Sequence, residues 1–497
     1  MILTTKRINA IKIILFFSII FFVTWKIVFC QIIDADGWWH IQCGRDMLNG
    51  GVDFHKYYWS DVTNNYSNHK FTWLGDIILA TVYDNFGCVG LNILRGILVF
   101  LGCFFLFLSS DRKLNFFKIF FLTCMVIGCY QKFLLRNSMF CMLFFPMILY
   151  LLDSKKSVLA CILLLLWSQI HGSYLIGIGV SIFYINKRTI VPVIISFLII
   201  SYLSPMTKSF YNFDKIKNIV QERSISPYML FGKQTRDTDS IEFKSPWTVN
   251  RHYINMAIFL SIAAIALIKL KNTRLLLLIL AVLFFSSGYI RLVGYASMAS
   301  VFGLFVAEKN KGVRNVNWMV YFVTFIILSY YAFFHYNKII YNITKPGLGV
   351  SNFKYSANIA EYALAKYPNE NTFNSMSVGG FLLLHWYPKK KVYIDTYFAP
   401  HPKRVFNDYK KYITNPTLLK NICSTAIFPI TEINVIKNFL KHGWYPEIID
   451  QGCVILTTKK ILNCKVVINH KIADNMSDIH KTRFKEIMSL FGINFIF

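Results

Sequence analysis

The chain has 497 residues, 55% of them hydrophobic and 16% charged, where an ordinary soluble domain carries about 25% charged residues. Its net charge is +28, from 53 Lys and Arg against 25 Asp and Glu, as expected for basic membrane loops facing anionic headgroups, so lipid rather than nucleic acid is the expected partner. A soluble chain of this length needs several charged skins around several cores, so an ordinary cytosolic enzyme is excluded, as is a disordered chain, and the main solvent is lipid.

Met1 to Lys12 is short and basic. Ile11 to Cys30 is one apolar run of about 20 residues, long enough to span a bilayer. No small-residue cleavage site follows it, which argues against a signal peptide. The amino terminus is therefore expected inside, and the polar, aromatic loop 31–72 outside. Apolar runs follow at Val89–Ser109, Leu114–Tyr130, Phe133–Leu152, Ser157–Ile185, Thr189–Leu203, Tyr253–Ile268, Arg274–Tyr289, Leu292–Ala307 and Val316–His335. The run 157–185 is too long for one crossing, and His171-Gly172-Ser173 splits it into two helices. Basic loops at Asp111–Lys118, Ser154–Lys156, Asn186–Arg188, Lys269–Arg274 and Glu308–Arg314 fall on one side only if Trp73–Phe86 does not cross. That segment carries Asp76 and Asp84 and reads as an interfacial or re-entrant helix. Were it to cross, several basic loops would lie outside. The count is about eleven crossings.

The fold class expected is thus an α-helical polytopic membrane protein over 1–337, with outer loops 31–72 and 204–252 and the interfacial helix 73–86. A small extramembrane α/β domain with a basic tail is expected over 338–497. In that domain Lys354–Lys366, Lys403–Tyr412 and Glu432–Lys441 read as helices. Thr372–Asn374, Lys391–Asp395, Thr425–Pro429, Tyr445–Asp450 and Cys453–Thr458 read as strands of a largely parallel sheet. No internal repeat is visible. The eleven Cys contain no CxxC pair, and most sit in apolar runs, as small buried hydrophobes do.

The stretch with most chemistry is Asp34-Ala35-Asp36-Gly37-Trp38-Trp39-His40, just past the outer end of the first span. Ionisable groups at a membrane boundary point to function. A carboxylate there can take a proton from a hydroxyl, or hold a divalent cation such as Mg or Mn through oxygen ligands. A solvated loop pair is the alternative for Asp34 and Asp36, and an aromatic interface belt for Trp38 and Trp39. Gly379-Gly380 reads as a tight turn before a helix, because the spacing of a phosphate-binding loop is missing.

These residues, with Asn68-His69-Lys70, Trp73-Leu74-Gly75-Asp76, Trp167-Ser-Gln-Ile-His171-Gly172, Ile241-Glu242-Phe243-Lys-Ser245-Pro246 and Gly379-Gly380-Phe381-Leu382 ahead of Tyr393-Ile394-Asp395, resemble a group of bacterial polytopic membrane proteins. The group is similar to the C-type glycosyltransferase superfamily. Two departures stand out. The Glu of the group's second segment is displaced here by Lys70-Phe71-Thr72, and an Asp-Gly-Arg pattern reads Asp395-Thr396-Tyr397, which weakens the expectation of a charged site in the carboxyl-terminal domain.

The resemblance implies transfer of a sugar from a polyprenyl-phosphate carrier to a glycan, lipid or protein acceptor by single displacement, on the outer face of a bacterial inner membrane. The carboxyl-terminal domain would then be extracytoplasmic. Asp36 or Asp34 would be the base. Arg136 and Arg291, or His171, would hold the leaving phosphate, since a planar guanidinium matches phosphate oxygens; snorkelling to headgroups is the alternative for both Arg. His40, His69 and Glu242 are candidates for substrate or metal, against a structural role for each His and a solvated loop acid for Glu242. The rival function is a non-catalytic transporter or assembly component for lipid-linked glycans. Transporters commonly show paired repeats with matching broken helices, and one broken helix without a repeat favours the enzyme.

Overall fold

The structure, a computed structural model, describes residues 28–50, 57–63, 73–113, 115–184, 273–288, 292–310, 347–397, 401–461, 463–468 and 478–493, with isolated positions in the first span and around 191–199. Expected spans at 253–268 and 316–335, most of those at 11–30 and 189–203, and the loop 204–252 lie outside the described residues. Two compact units emerge: Met1–Cys30 with Val89–Leu348, and Gln31–Cys88 with Gly349–Phe497. The unit boundary therefore differs from the one expected at 337, because the first loop and helix 73–86 belong with the carboxyl-terminal domain.

In chain order, helix α1 is Asp36–Leu48 and helix α2 is Trp73–Leu108. Gly87 interrupts α2 with φ 58° and ψ −157°, a conformation open essentially to glycine alone. Its amino-terminal half is thus a separate helix, as the composition of 73–86 suggests. By length and composition α2 can cross a membrane.

The apolar unit continues with α3 (Phe116–Gly128), α4 (Cys141–Asp153), α5 (Ser157–Ile170), α6 (Tyr174–Ile182), α7 (Thr273–Gly288) and α8 (Val293–Lys309). The break at His171 falls where the sequence places it. Helix α8 is buried nearly all round and packs on α3, α4 and α7. Close approach uses small residues: a Cβ on Gly102 would lie 2.0 Å from the Met142 carbonyl oxygen, the kind of contact that membrane helices favour. Outward faces are apolar at helical spacing, with Val89, Ile93, Ile97 and Phe100 exposed on α2 and Val158, Ile162 and Leu166 on α5. Water would penalise such stripes, whereas lipid does not.

Ion pairs gather three of the expected inner loops at one end of this unit. Lys118 is buried and pairs with Asp111 and with Glu308 (3.3 Å), and Lys309 reaches Asp153 at 3.2 Å. At the opposite end, Cys129 Sγ lies 3.3 Å from the Gly294 carbonyl oxygen and Lys132 sits 4.4 Å over the Tyr295 ring.

The second unit adds α9 (Ala357–Lys366), α10 (Met376–Trp386), α11 (Lys403–Thr414), α12 (Ile433–Lys441) and α13 (Asp478–Leu490). Its strands are β1 (Thr372–Asn374), β2 (Thr425–Pro429), β3 (Tyr445–Asp450), β4 (Cys453–Thr457) and β5 (Lys465–Val467). The sheet order is β1-β2-β4-β3-β5. β1/β2 and β3/β5 are parallel, while β2/β4 and β3/β4 are antiparallel. The largely parallel sheet expected from sequence is therefore corrected to a mixed one. Two residues separate β3 from β4, and a connection that short can only make a hairpin. Asp450 Oδ1 holds the turn by accepting from the Gly452 and Cys453 amides, each at 2.8 Å.

Lys391–Asp395 is not a sheet strand. Val392 instead forms a single bridge to Ser60 of the first loop. β5 and α13 arise from the tail that carries no clear sequence pattern. Beneath α11 and α12, Phe373, Phe428, Phe439, Trp444 and Leu456 form the core.

Candidate functional site

The Asp34–Asp36 segment is held from below by residues 349–355. The Ile32 amide donates to the Gly349 carbonyl (2.9 Å), and the Ser351 amide donates to the Ile32 carbonyl (3.0 Å). The Ile33 carbonyl then accepts twice, from Lys354 Nζ at 3.1 Å and from the Tyr355 hydroxyl at 2.8 Å. This anchor is the residue directly before Asp34. Asp36 opens α1, and its amide lies 3.5 Å from Asp34 Oδ1. An acid in the first turn suits the helix dipole. Asp34 and Asp36 are both half-buried, and Asp34 Oδ2 is turned away from solvent.

The local electrostatics centre on Lys354. Burial pushes its ammonium below the ordinary value, while the carboxylates of Asp34, Glu432 and Asp36 draw it back up. Burial, reinforced by the negative charges of Asp34 and Asp36, raises the Tyr355 phenol well above the usual range, so it remains a donor to Ile33. Glu432 is itself positioned by Ser375 Oγ (2.6 Å) and Ser377 Oγ (2.7 Å). Among the described residues no three His, Cys, Asp or Glu side chains gather as metal ligands. Asp34 and Asp36 offer two carboxylates beside an ammonium and do not by themselves complete a divalent-cation site, so no step is routed through a metal.

Two glycines let the elements meet here. A Cβ on Gly380 would lie 2.9 Å from the Ala35 carbonyl oxygen and 3.3 Å from the Trp39 amide, and one on Gly379 only 2.0 Å from the Ile394 carbonyl oxygen. The tight turn expected at Gly379-Gly380 is corrected: both residues lie inside α10, at the point where it crosses α1 and the 392–395 segment. Trp38 is fully buried against Tyr83, Tyr355 and Phe381, and Trp39 stacks on Tyr397 with centroids 4.2 Å apart. These indoles are core anchors of α1 rather than an interface belt.

His40 is buried, with Nδ1 2.5 Å from Asp76 Oδ1. Asp76 itself is buried and comes from the start of α2. Farther along α1, Asp46 accepts from Gln42 (2.7 Å) and from the Trp59 indole (2.8 Å). A second buried polar cluster surrounds Asp395. The Tyr57 hydroxyl donates to Asp395 Oδ2 (2.5 Å), the Tyr397 amide donates to Oδ1 (2.7 Å), and His401 Nε2 lies 3.2 Å from Oδ1. Sequence reasoning discounted Asp395 for want of a following Arg. Its partners come from Tyr57 and His401, and a pair separated by 338 positions leaves no local signal.

Arg136 and His171 belong to the other unit. Antiparallel packing of α4 on α5 brings the start of α4, next to Arg136, to the same end as His171. Arg136 is buried and precedes a short 3₁₀ turn. His171 Nδ1 accepts from the Ser173 amide at 3.1 Å and lies 2.6 Å from Ser173 Oγ, so this His also caps the helix break. Arg95, which the sequence did not single out, joins that end, donating to the carbonyls of Phe133 (2.7 Å) and Cys30 (2.6 Å). Arg291, His69 and Glu242 lie outside the described residues.

No protein-family model and no curated protein matches the chain. Among solved structures, the oligosaccharyltransferase of Archaeoglobus fulgidus, tethered with an acceptor peptide, superposes with TM-score 0.56 at 9% identity, covering 92% of this chain and 75% of that one. ArnT from Cupriavidus metallidurans in its apo state gives TM-score 0.41 at 11% identity, over 90% of this chain and 98% of that one. The first comparison shows the fold: over 92% of its length this chain shares the fold of that oligosaccharyltransferase.

Proposed function

We propose that the protein is an integral membrane glycosyltransferase. It moves a sugar from a polyprenyl-phosphate-linked donor to an acceptor hydroxyl outside the cytoplasm. The observation that carries this reading is the Asp34–Asp36 pair: two half-buried carboxylates at the start of α1, their backbone pinned through Ile33 by Lys354 and Tyr355, in a chain that shares the oligosaccharyltransferase fold.

The reaction is a single displacement. Asp36 accepts the acceptor's hydroxyl proton as the oxygen bonds to the anomeric carbon. The bond from that carbon to the phosphate oxygen breaks, and the lipid phosphate leaves with its electron pair. Developing charge on the phosphate needs a fixed cation. Arg136, Arg291 and His171 are the candidates for that role. Asp34 orients Asp36 and shares its proton load. His40 acts through its bond to Asp76 by holding α1 in place, and His69 and Glu242 are the further candidates for contact with substrate or metal.

The reading puts the Lys132–Arg136 end of the helical unit outside and the Lys118–Glu308 end inside, with about eleven crossings in all. The test is analysis of lipid-linked sugars in a deletion strain. An accumulating donor is expected, cleared by the wild-type gene and not by Asp36→Asn. Loss of a general base costs about 10²–10⁴-fold in rate, and Asp34→Asn should be weaker or equal in effect. Full clearance by both Asn variants, each expressed at wild-type level, would leave the mechanism without its base and favour a transporter.

A further inference from the structure

Glu432 lies in the neighbourhood of the Asp34–Asp36 segment and takes no part in the displacement itself. It closes the 3₁₀ turn Ile430–Glu432, directly after β2. The Ile430 amide donates to the Gly452 carbonyl at 2.9 Å, and α13 packs on the turn, with Ile430, Phe484, Ile487 and Met488 in one core. Gly452 lies against the segment that pins Ile33. A Cβ there would come 2.7 Å from the Asn352 carbonyl oxygen and 3.2 Å from that of Tyr355, and Cys453 Sγ lies 3.4 Å from the Lys354 carbonyl oxygen. Helix α10 makes a second link: Gly380 approaches the Ala35 carbonyl, and Ser377, three positions earlier, lies one turn back on the same helix face. All of these residues belong to one compact unit.

The Glu432 carboxylate is oriented through one oxygen. Ser375 Oγ donates to Oε1 at 2.6 Å, and Ser377 Oγ donates to the same atom at 2.7 Å. Ser375 is itself fixed: it caps α10 by accepting from the Ser377 amide at 3.2 Å, and its own amide donates to the Ile427 carbonyl at 2.9 Å. Among the described residues no hydrogen bond reaches Oε2, and Glu432 is half-buried rather than enclosed. An acid at this end of α10 suits the helix dipole, and a capping role alone accounts for Oε1. It leaves Oε2 preset and open. A carboxylate already held by two hydroxyls has lost the side-chain freedom that binding would otherwise cost.

The surrounding charges select the ligand. The carboxylates of Asp34, Glu432 and Asp36 all act on the single ammonium of Lys354, so a phosphate here would meet three negative groups against one positive. Among the described residues no three His, Cys, Asp or Glu side chains gather as ligands for an ion. Hydroxyl groups fit, because each gives one hydrogen bond and takes others, and the set offers carboxylate acceptors beside an ammonium donor. In the transferase reaction the ligand that brings several hydroxyls to this unit is the transferred sugar. We propose that Glu432 is a sugar-binding residue, its Oε2 accepting a hydroxyl of the transferred sugar beside Asp34 and Asp36. This rests on the glycosyltransferase reading and adds to it the group that holds the ring away from the reacting carbon.

The test uses the full chain in lipid nanodiscs without acceptor, and compares the binding of two probes. One is the lipid-linked sugar purified from the deletion strain; the other is polyprenyl phosphate carrying no sugar. Glu432→Gln isolates the open oxygen: its amide oxygen can still accept from Ser375 and Ser377, while Oε2 is replaced by a donor. The melting midpoint of the unliganded variant should therefore match wild type. Its binding of the lipid-linked sugar should weaken about 10–100-fold, the worth of a hydrogen bond to a charged group, with binding of the bare carrier unchanged. Wild-type affinity of Glu432→Gln for the lipid-linked sugar overturns the proposal. So does an equal loss for both probes, or a loss that comes with a lowered unliganded midpoint, since either marks a structural role. If no lipid-linked sugar accumulates, or wild type does not bind it, the transferase reading fails and takes the proposal with it, so the wild-type arm separates the two failures.

Discussion

At the scale of single residues, the second unit is organised by acids that find partners far along the chain. Tyr57 is the donor that ties the first loop to Asp395. Phe at this position would leave a fully buried carboxylate oxygen without its phenol and should cost about 1–3 kcal/mol, read as a lower unfolding midpoint of the purified protein. The pH dependence has a definite sign. Burial, then the charge of Asp395, raises the Tyr57 phenol well above its ordinary value of 10.0, so the folded state holds that proton more tightly than the unfolded chain does. The contribution is complete below pH 10 and fades as pH rises toward the folded-state value. Wild-type protein should therefore lose stability above pH 10 more steeply than Tyr57→Phe. Equal slopes in alkaline melts would show that this phenol is not held as described.

At the scale of elements, the site depends on α10 passing close to both α1 and the 392–395 segment. Gly379 and Gly380 make that passage possible, and their requirement is steric, since neither has a positive φ. Ala at 379 would press its methyl onto the Ile394 carbonyl, where only backbone can yield. Overpacking of this kind costs about 1–3 kcal/mol and at times more, so Gly379→Ala should lower yield and melting temperature. Gly380→Ala meets Ala35 and Trp39 instead, at the start of α1. A smaller stability loss is expected there, with a larger loss of transfer because the displaced element carries Asp36. The two variants separate on paired melting and lipid-linked-sugar measurements; if they lose stability and transfer in the same proportion, α1 is not being displaced selectively.

At the scale of the whole molecule, Gln31–Cys88 and Gly349–Phe497 form one compact unit, joined locally by the Val392 amide on the Trp59 carbonyl at 3.1 Å and Ser60 Oγ on the Tyr393 carbonyl at 2.7 Å. Such a unit requires its two segments to share one side of the membrane. Cysteines introduced at Asn65 and Asn407 should both react with an impermeant maleimide added outside intact spheroplasts. Reaction of one and not the other would break the arrangement.

The sequence by itself determined the solvent and many of the elements, though not β5, α13 or the irregular path of 391–395. Sparse charge and long apolar runs dictate lipid because the cost of burying ions in hydrocarbon is a composition effect that needs no coordinates. The break at His171 and the three helices 357–366, 403–414 and 433–441 follow from local periodicity and short-range sterics. Asp34 and Asp36 stood out because their neighbours along the chain are unusual. Tertiary structure decided which distant groups meet: Lys354 and Tyr355 beneath Ile33, Asp76 on His40, Tyr57 and His401 around Asp395. It also decided the mixed order of the sheet and the role of Gly379-Gly380 as a crossing point rather than a turn. Hydrogen bonds and close approaches between segments hundreds of residues apart depend on the path of the whole backbone, and no local pattern of residues encodes that path.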